Sequence, residues 1–241
     1  VLIGISGKPR RGKDSLAKAV ADDFNFTVVH FADALYEEIQ LAHTITHTSH
    51  WSGDWVTIDL LHYTSPMLCR KVGEWFKHAE ATQNDRKGVF GRCVSGDAVF
   101  LTYINHAAVK KDPLMLQWWG TEYRRCHFGM NYWVEKTAER VQRLSNTTSS
   151  SMIDRRIIVA DVRFKNEAYW VKAQDDGRLI RINSSEPFEP TGRDDSHPSE
   201  TDLDDYQEWD EVIDNDYNEL FFVIGLSVVD RWLDEDGRRL A

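Results

Sequence analysis

The first thirty residues constrain this chain more than any other stretch. Val1-Leu2-Ile3-Gly4-Ile5-Ser6 is a short apolar run closing on small residues, the composition of a central parallel strand buried on both faces. Gly7 to Ser15 then carries two glycines and four cations, and Ser15 to Ala21 reads as a helix. Phe26 to Phe31 has the character of a second strand, with a helix expected over Ala34 to Ala42. A strand, a glycine-rich loop, a helix and another strand form a β-loop-α-β unit, so the expected class is α/β.

At 241 residues the chain is long for one such core and short for two, which predicts a single domain carrying an insertion. The core is expected over about 1–42 and 152–241, and the insertion, mainly helical, over 43–151. Helical spacing runs from Leu114 to Leu144, with breaks expected near Gly120 and Gly129. Regular order resumes with a strand at Arg156 to Asp161, a helix at Asn166 to Asp175 and a strand at Leu179 to Ile182. Ser184 to Ser199 holds three prolines and a glycine and reads as a long loop. A last strand is expected at Glu211 to Asp214 and a closing helix at Leu220 to Leu233.

The charge balance, 29 basic against 39 acidic residues, gives −10 and argues against a nucleic-acid coat or a membrane-surface binder. Thirteen acidic residues and no Lys or Arg lie between Asp194 and Asp230, which reads as a solvated acidic face. Cys69, Cys93 and Cys126 are widely spaced and suggest neither a disulfide framework nor a zinc site. No apolar run reaches the roughly 20 residues of a membrane helix, and a signal-peptide pattern is lacking. A reduced, cytoplasmic setting is the expectation. His43, His47 and His50 stand at helical spacing, but without a recognisable fourth ligand they make a weak metal motif.

Gly7-Lys8-Pro9-Arg10-Arg11-Gly12-Lys13-Asp14-Ser15 has the spacing of a Walker A loop and sits where one must, after a buried strand and before a helix. Its glycines would let backbone N–H groups turn toward phosphate oxygens at a helix N-terminus, with Lys13 reaching the β- and γ-phosphates of a nucleotide. Asp14 stands where a Ser or Thr is usual, and a hydroxyl follows at Ser15. Either could give oxygen to Mg²⁺. The strand ending at Asp161 has the form of a Walker B strand, and Arg163, two residues on, could clamp a phosphate. Asp161 and Arg163 could equally pair with each other.

Gly7-x4-Gly12-Lys13-Asp14-Ser15, Leu116-Gln117-x-x-Gly120-Thr121-Glu122, Tyr132-Trp133-Val134, Asp161-Val162-Arg163-Phe164-x-Asn166-Glu167 and His197-Pro198-Ser199-Glu200 together resemble the bacteriophage deoxynucleoside monophosphate kinases in order and spacing. The resemblance implies a three-layer P-loop kinase fold, α/β with a doubly wound parallel sheet, and transfer of the γ-phosphoryl of ATP, with Mg²⁺, to a deoxynucleoside 5′-monophosphate that serves DNA precursor supply. It implies a helical acceptor region within Asp33 to Trp133 and a lid over Ser184 to Ser199. Gly7, Arg10, Arg11, Gly12, Lys13, Asp14 and Ser15 would hold the donor, with Asp14, Ser15 and Asp161 toward the metal. Arg163 would grip the acceptor phosphate or the transferring group, and Arg193, in the lid loop, would close over the phosphates and help exclude water. Asp33, Gln117, Gly120, Thr121, Arg124 and Trp133 would line the acceptor pocket, where Arg124 and Arg125 could reach the acceptor phosphate or else be surface cations. Tyr36 stands where the family often has lysine, and Asp33 replaces a small residue. His197 could cap the lid loop or act in it. A homodimer is the family-level expectation. Two other readings share the motifs: a small-molecule kinase similar to animal phosphomevalonate kinase, and a nucleotide-binding module without an acceptor.

Overall fold

The computed structural model describes residues 1–38, 113–147, 156–184 and 193–237. Five strands make one sheet in the order β2-β3-β1-β4-β5, every neighbouring pair parallel. They are β1 (Leu2–Gly7), β2 (Thr27–Val29), β3 (Ile157–Val162), β4 (Gly177–Asn183) and β5 (Glu211–Asp214). β1 and β3 are buried at every position, which is why both read as unbroken apolar runs rather than alternating ones. Parallel neighbours need crossovers, and helices supply them on both faces.

One face buries Ile3, Ile5, Ile158, Ile180 and Ile213 against α1 (Lys13–Phe24) and α8 (Glu219–Glu235). Leu16, Ala17 and Val20 form the buried stripe of α1, and Phe221, Val229 and Trp232 that of α8. The two helices approach closely at Gly225, where a Cβ would stand 2.4 Å from Leu16 Cδ1. The other face buries Leu2, Val159, Val162 and Leu179 against Ala168 and Val171 of α6 (Lys165–Lys172) and Val134 of α5 (Tyr132–Thr147). Strand alternation explains the split, since Leu2 and Ile3 point to opposite faces.

The chain divides into two compact units, 1–35 with 117–241, and 36–116. In the second, 36–38 and 113–116 are helical. Residues 117–147 thus fall in the first unit, although the sequence pattern puts them in the insertion, because Val134 buries in the sheet's own core. A helix, α2, is described over 31–38 and begins three residues ahead of the expected start.

No break occurs at Gly120. α3 (Pro113–Trp118) runs on as a π-helix (Trp119–Arg125) and a short α4 (Cys126–Phe128), and the chain turns only at Gly129, where φ is 115°. The expected loop 184–199 ends in a one-turn helix, α7 (Pro198–Thr201). Among the described residues no helix is long and apolar enough to cross a membrane. The histidines 43, 47 and 50 and the cysteines 69 and 93 lie outside the described residues, while Cys126 is exposed.

Candidate active site

The strand order changes direction about β1, and the carboxyl ends of β1 and β3 open there, the place where doubly wound sheets take ligands. The loop leaving β1 is turned by Gly12 at φ 89°, where a Cβ would meet Asn215 Nδ2 at 2.6 Å. Four of its carbonyls accept from side chains. Lys13 Nζ donates to Gly7 O and Lys8 O at 2.8 Å, Asn215 Nδ2 to Arg11 O at 3.0 Å and the Tyr217 hydroxyl to Arg10 O at 3.1 Å. These bonds tie the loop to its own lysine and to the segment after β5.

α1 begins at Lys13 with no side-chain cap, so its first N–H groups are claimed by no capping residue. They border a pocket of about 450 Å³ whose lining includes Arg10, Gly12, Lys13, Asp14, Ser15 and Tyr217. Lys13 is 7% exposed. Burial, with Arg163 adding repulsion, brings it from 10.5 down to about 7 despite Asp14, Asp161 and Glu200 nearby.

Asp14 and Ser15 are exposed oxygen donors at the loop's exit, a set that fits a hard divalent cation. Asp14 Oδ1 lies 3.4 Å from His30 Nε2, and that hydrogen bond holds its carboxyl below the usual range. His30, at the end of β2, also has Nδ1 3.6 Å from Asp33 Oδ1. Its two carboxylate partners, Asp14 first, raise the imidazole to about 10.

Asp161 and Arg163 do not take each other as hydrogen-bond partners. Asp161 Oδ1 accepts from Phe31 N at 2.6 Å and Oδ2 from Ala32 N at 3.0 Å, capping α2 from across the sheet. Burial pushes its carboxyl up, while the His30 charge and both amides pull the other way. Arg163 instead sends Nη1 to Glu200 Oε1 at 2.7 Å, and Arg193 sends its Nη1 to the same oxygen at 3.0 Å. Lys13, Arg163 and Arg193 thus come together around one end of the sheet.

The residues expected to line an acceptor pocket make other contacts. Gln117 donates from Nε2 to Asp194 O at 3.1 Å and accepts from Asp194 N at 3.0 Å, so both ends of its amide hold the segment carrying Arg193. Trp133 Nε1 donates to Gly120 O at 2.8 Å, and the Trp133 ring is buried. Thr121 is half-buried beside them in sequence. Asp33 accepts from His30 N at 2.9 Å and lies 3.9 Å from Arg140. Arg124 is buried with its guanidinium 4.7 Å from the Phe128 ring centre and 5.2 Å from that of Tyr132.

Arg125 belongs to the fold rather than to an open pocket. It pairs in the interior with Glu167 Oε1, donates to Met130 O at 2.7 Å and stacks 3.9 Å over Phe164. His197 caps α7, Nδ1 accepting from Ser199 N at 3.1 Å.

His30, Asn215 and Tyr217 carry no motif, and Glu200 and Lys8 gave no signal of their own beyond the runs in which they sit. Tyr217 holds φ 56°, an uncommon conformation for a bulky residue, at the rim of the pocket.

No family model matches the chain, and no curated protein does. Among solved structures, the chain is similar to a dephospho-CoA kinase from Campylobacter jejuni over 98% of either chain, at 13% identity and a TM-score of 0.41.

Proposed function

We propose that this protein transfers the γ-phosphoryl group of ATP to a deoxynucleoside 5′-monophosphate. The observation that carries the reading is the convergence of Lys13, Arg163 and Arg193 beside a loop of uncapped helix amides at the carboxyl edge of a parallel sheet. Phosphoryl transfer asks for this more than for a nucleophilic side chain, since most of its catalysis is positioning and charge stabilisation.

In this reading the loop amides and Lys13 hold the β- and γ-phosphates, and the base and sugar of the donor lie toward Asn215 and Tyr217 in the pocket. A phosphate oxygen of the acceptor attacks the γ-phosphorus, the bond to the β–γ bridging oxygen breaks, and ADP leaves. Lys13 steadies charge on that bridging oxygen, while Arg163 and Arg193 meet the equatorial oxygens of the group in flight. Asp14 and Ser15 would hold Mg²⁺, with Asp161 behind them, and the ion would neutralise charge between the β- and γ-phosphates. Arg193, on the segment latched by Gln117, helps keep water out.

The acceptor class rests on the resemblance to the phage kinases. Because the Gln117 amide and the Trp133 N–H already have partners within the chain, phosphomevalonate belongs in the same trial. The test is ADP release from Mg·ATP with dAMP, dCMP, dGMP, dTMP, the matching ribonucleotides and phosphomevalonate, each alone. Turnover with one or more deoxynucleotides is expected. Turnover with phosphomevalonate alone would assign the small-molecule kinase reading, and nucleotide binding without any acceptor-dependent turnover would leave a binding module.

A further inference from the structure

The phosphoryl-transfer reading places two arginines at the reacting group, and both rest on one carboxylate. Glu200 has its side chain 3% exposed, and its Oε1 receives Arg163 Nη1 and Arg193 Nη1. Arg163 follows β3, whereas Arg193 lies in the segment leading to α7, so neither neighbour in sequence brings them together. Two guanidiniums near the Lys13 ammonium repel one another, and a buried anion between them is what makes such a cluster stable. Each guanidinium has five N–H donors, so bonding through Nη1 leaves the rest of the fork for phosphate oxygens.

Glu200 is itself fixed. Its backbone carbonyl accepts from Lys8 Nζ, and its backbone N–H donates to His197 O at 2.8 Å. His197 Nε2 stands 3.3 Å from Glu122 Oε1, and Gln117 grips Asp194 beside Arg193. A carboxylate this near a phosphate site opposes an anionic ligand, so its presence asks for a reason. Holding two cations in register supplies one.

We propose that Glu200 is a positioning residue, which pairs Arg163 with Arg193 so that their remaining N–H groups meet the transferring phosphoryl group and the acceptor phosphate together. The inference rests on the phosphoryl-transfer reading above. Its test is steady-state kinetics on the full chain for Glu200→Gln, Glu200→Asp, Arg163→Ala and the Arg163→Ala/Glu200→Gln double variant, with ADP affinity and thermal melting on each.

Glu200→Gln is expected to lower kcat at least 30-fold while ADP affinity, set by the phosphate loop, stays within threefold. Glu200→Asp, which keeps the charge but draws it back, should recover several-fold of that loss. In the Arg163→Ala background, Glu200→Gln should cost less than threefold more, because a residue acting through the arginines has little left to act on. A kcat for Glu200→Gln equal to wild type, or losses that simply multiply in the double variant, would overturn the proposal. If the Gln variant melts too low to assay, folded Glu200→Asp carries the test, and wild-type kcat there overturns it. A wild-type protein that transfers to no acceptor sinks the phosphoryl-transfer reading, whereas an active wild type matched by Glu200→Gln sinks only the role given to Glu200.

Discussion

The Lys13 ammonium is folded back onto the carbonyl of Gly7, 2.8 Å away, so the loop's own peptide groups receive the cation that a polyphosphate would attract. A carbonyl solvates an ammonium less well than water does, and the buried amine accordingly sits at about 7 rather than 10.5.

One consequence is a proton taken up on binding. Phosphate oxygens favour the charged amine and raise its pKa, so at pH 8, above the ligand-free value of about 7, ATP or ADP should draw a proton from buffer. Calorimetry in two buffers of different ionisation enthalpy should show net uptake at pH 8 that Lys13→Met abolishes. Equal heats in both buffers would contradict the buried, neutral amine. The same variant should lose about 10² or more in transfer rate, the size expected when a charged stabiliser of the transition state is removed.

The amine also sets a pH dependence on the ligand-free fold. Between about 7 and 10.5 the unfolded chain holds a proton that the folded one lacks, so Lys13 lowers stability as pH falls through this window and by a constant amount below it. Denaturant melts should therefore find Lys13→Met more stable than wild type at pH 6.5, with the gap closing as pH rises toward 10.5. A gap that widens with pH would mean the amine is charged in the fold.

Gly12 offers a test of the loop geometry. At φ 89° a Cβ costs backbone strain, and it would also sit 2.6 Å from Asn215 Nδ2 and 3.2 Å from the Phe221 ring. Gly12→Ala should destabilise by about 1–3 kcal/mol and pull Asn215 off the Arg11 carbonyl. Nucleotide affinity should fall with it. Thermal melting and ADP titration check both, and a variant that binds and melts like wild type would show that the loop yields to a side chain at this position.

β1 and β3 were legible because both are largely apolar runs, and β5, in which only Val212 and Ile213 are apolar, falls at the expected Glu211–Asp214. The glycine-rich loop was legible because its glycines and cations lie within nine consecutive residues. The partners of those residues were not. Asn215 reaches Arg11 and Glu200 reaches Arg163 across long sequence separations that only the strand order closes. Trp118 and Trp119 are both buried and meet edge-to-face at 6.4 Å where the α-helix passes into the π-helix. A glycine at 120 predicts a break by composition; burial of its neighbours overrides that propensity.

Arg125 and Glu167 form a buried pair, and Glu167 Oε2 also accepts from Arg163 N at 2.7 Å and Phe164 N at 3.1 Å. Burial raises the Glu167 carboxyl, with the Arg125 charge opposing. Arg125→Met should cost about 3–5 kcal/mol, because the carboxylate is left in the interior without its counter-charge. Arg125→Met with Glu167→Gln should recover part of that loss. Urea denaturation of the wild type, Arg125→Met, Glu167→Gln and the double variant tests it, and additive losses in the double variant would argue that packing over Phe164, not the ion pair, is what the arginine supplies.

His30 gives the opposite pH signature from Lys13. Its imidazole is raised from 6.5 to about 10 by the Asp14 hydrogen bond first and the Asp33 hydrogen bond second. A base with a raised pKa contributes its full stabilisation below 6.5, where both states are protonated, and loses it progressively as pH rises to about 10. Because the Asp14 carboxylate is largely solvent-exposed, the worth of the cluster is about 1 kcal/mol rather than what the shift alone would suggest. His30→Asn should thus be less stable than wild type by about that amount at pH 6 and indistinguishable from it near pH 10. A constant deficit across the range would mean that the ring stabilises by packing alone. With the imidazolium gone, Asp14 also loses the charge that holds its carboxyl low, so its pKa should move up toward the ordinary value, which carboxylate NMR titration of the variant would register.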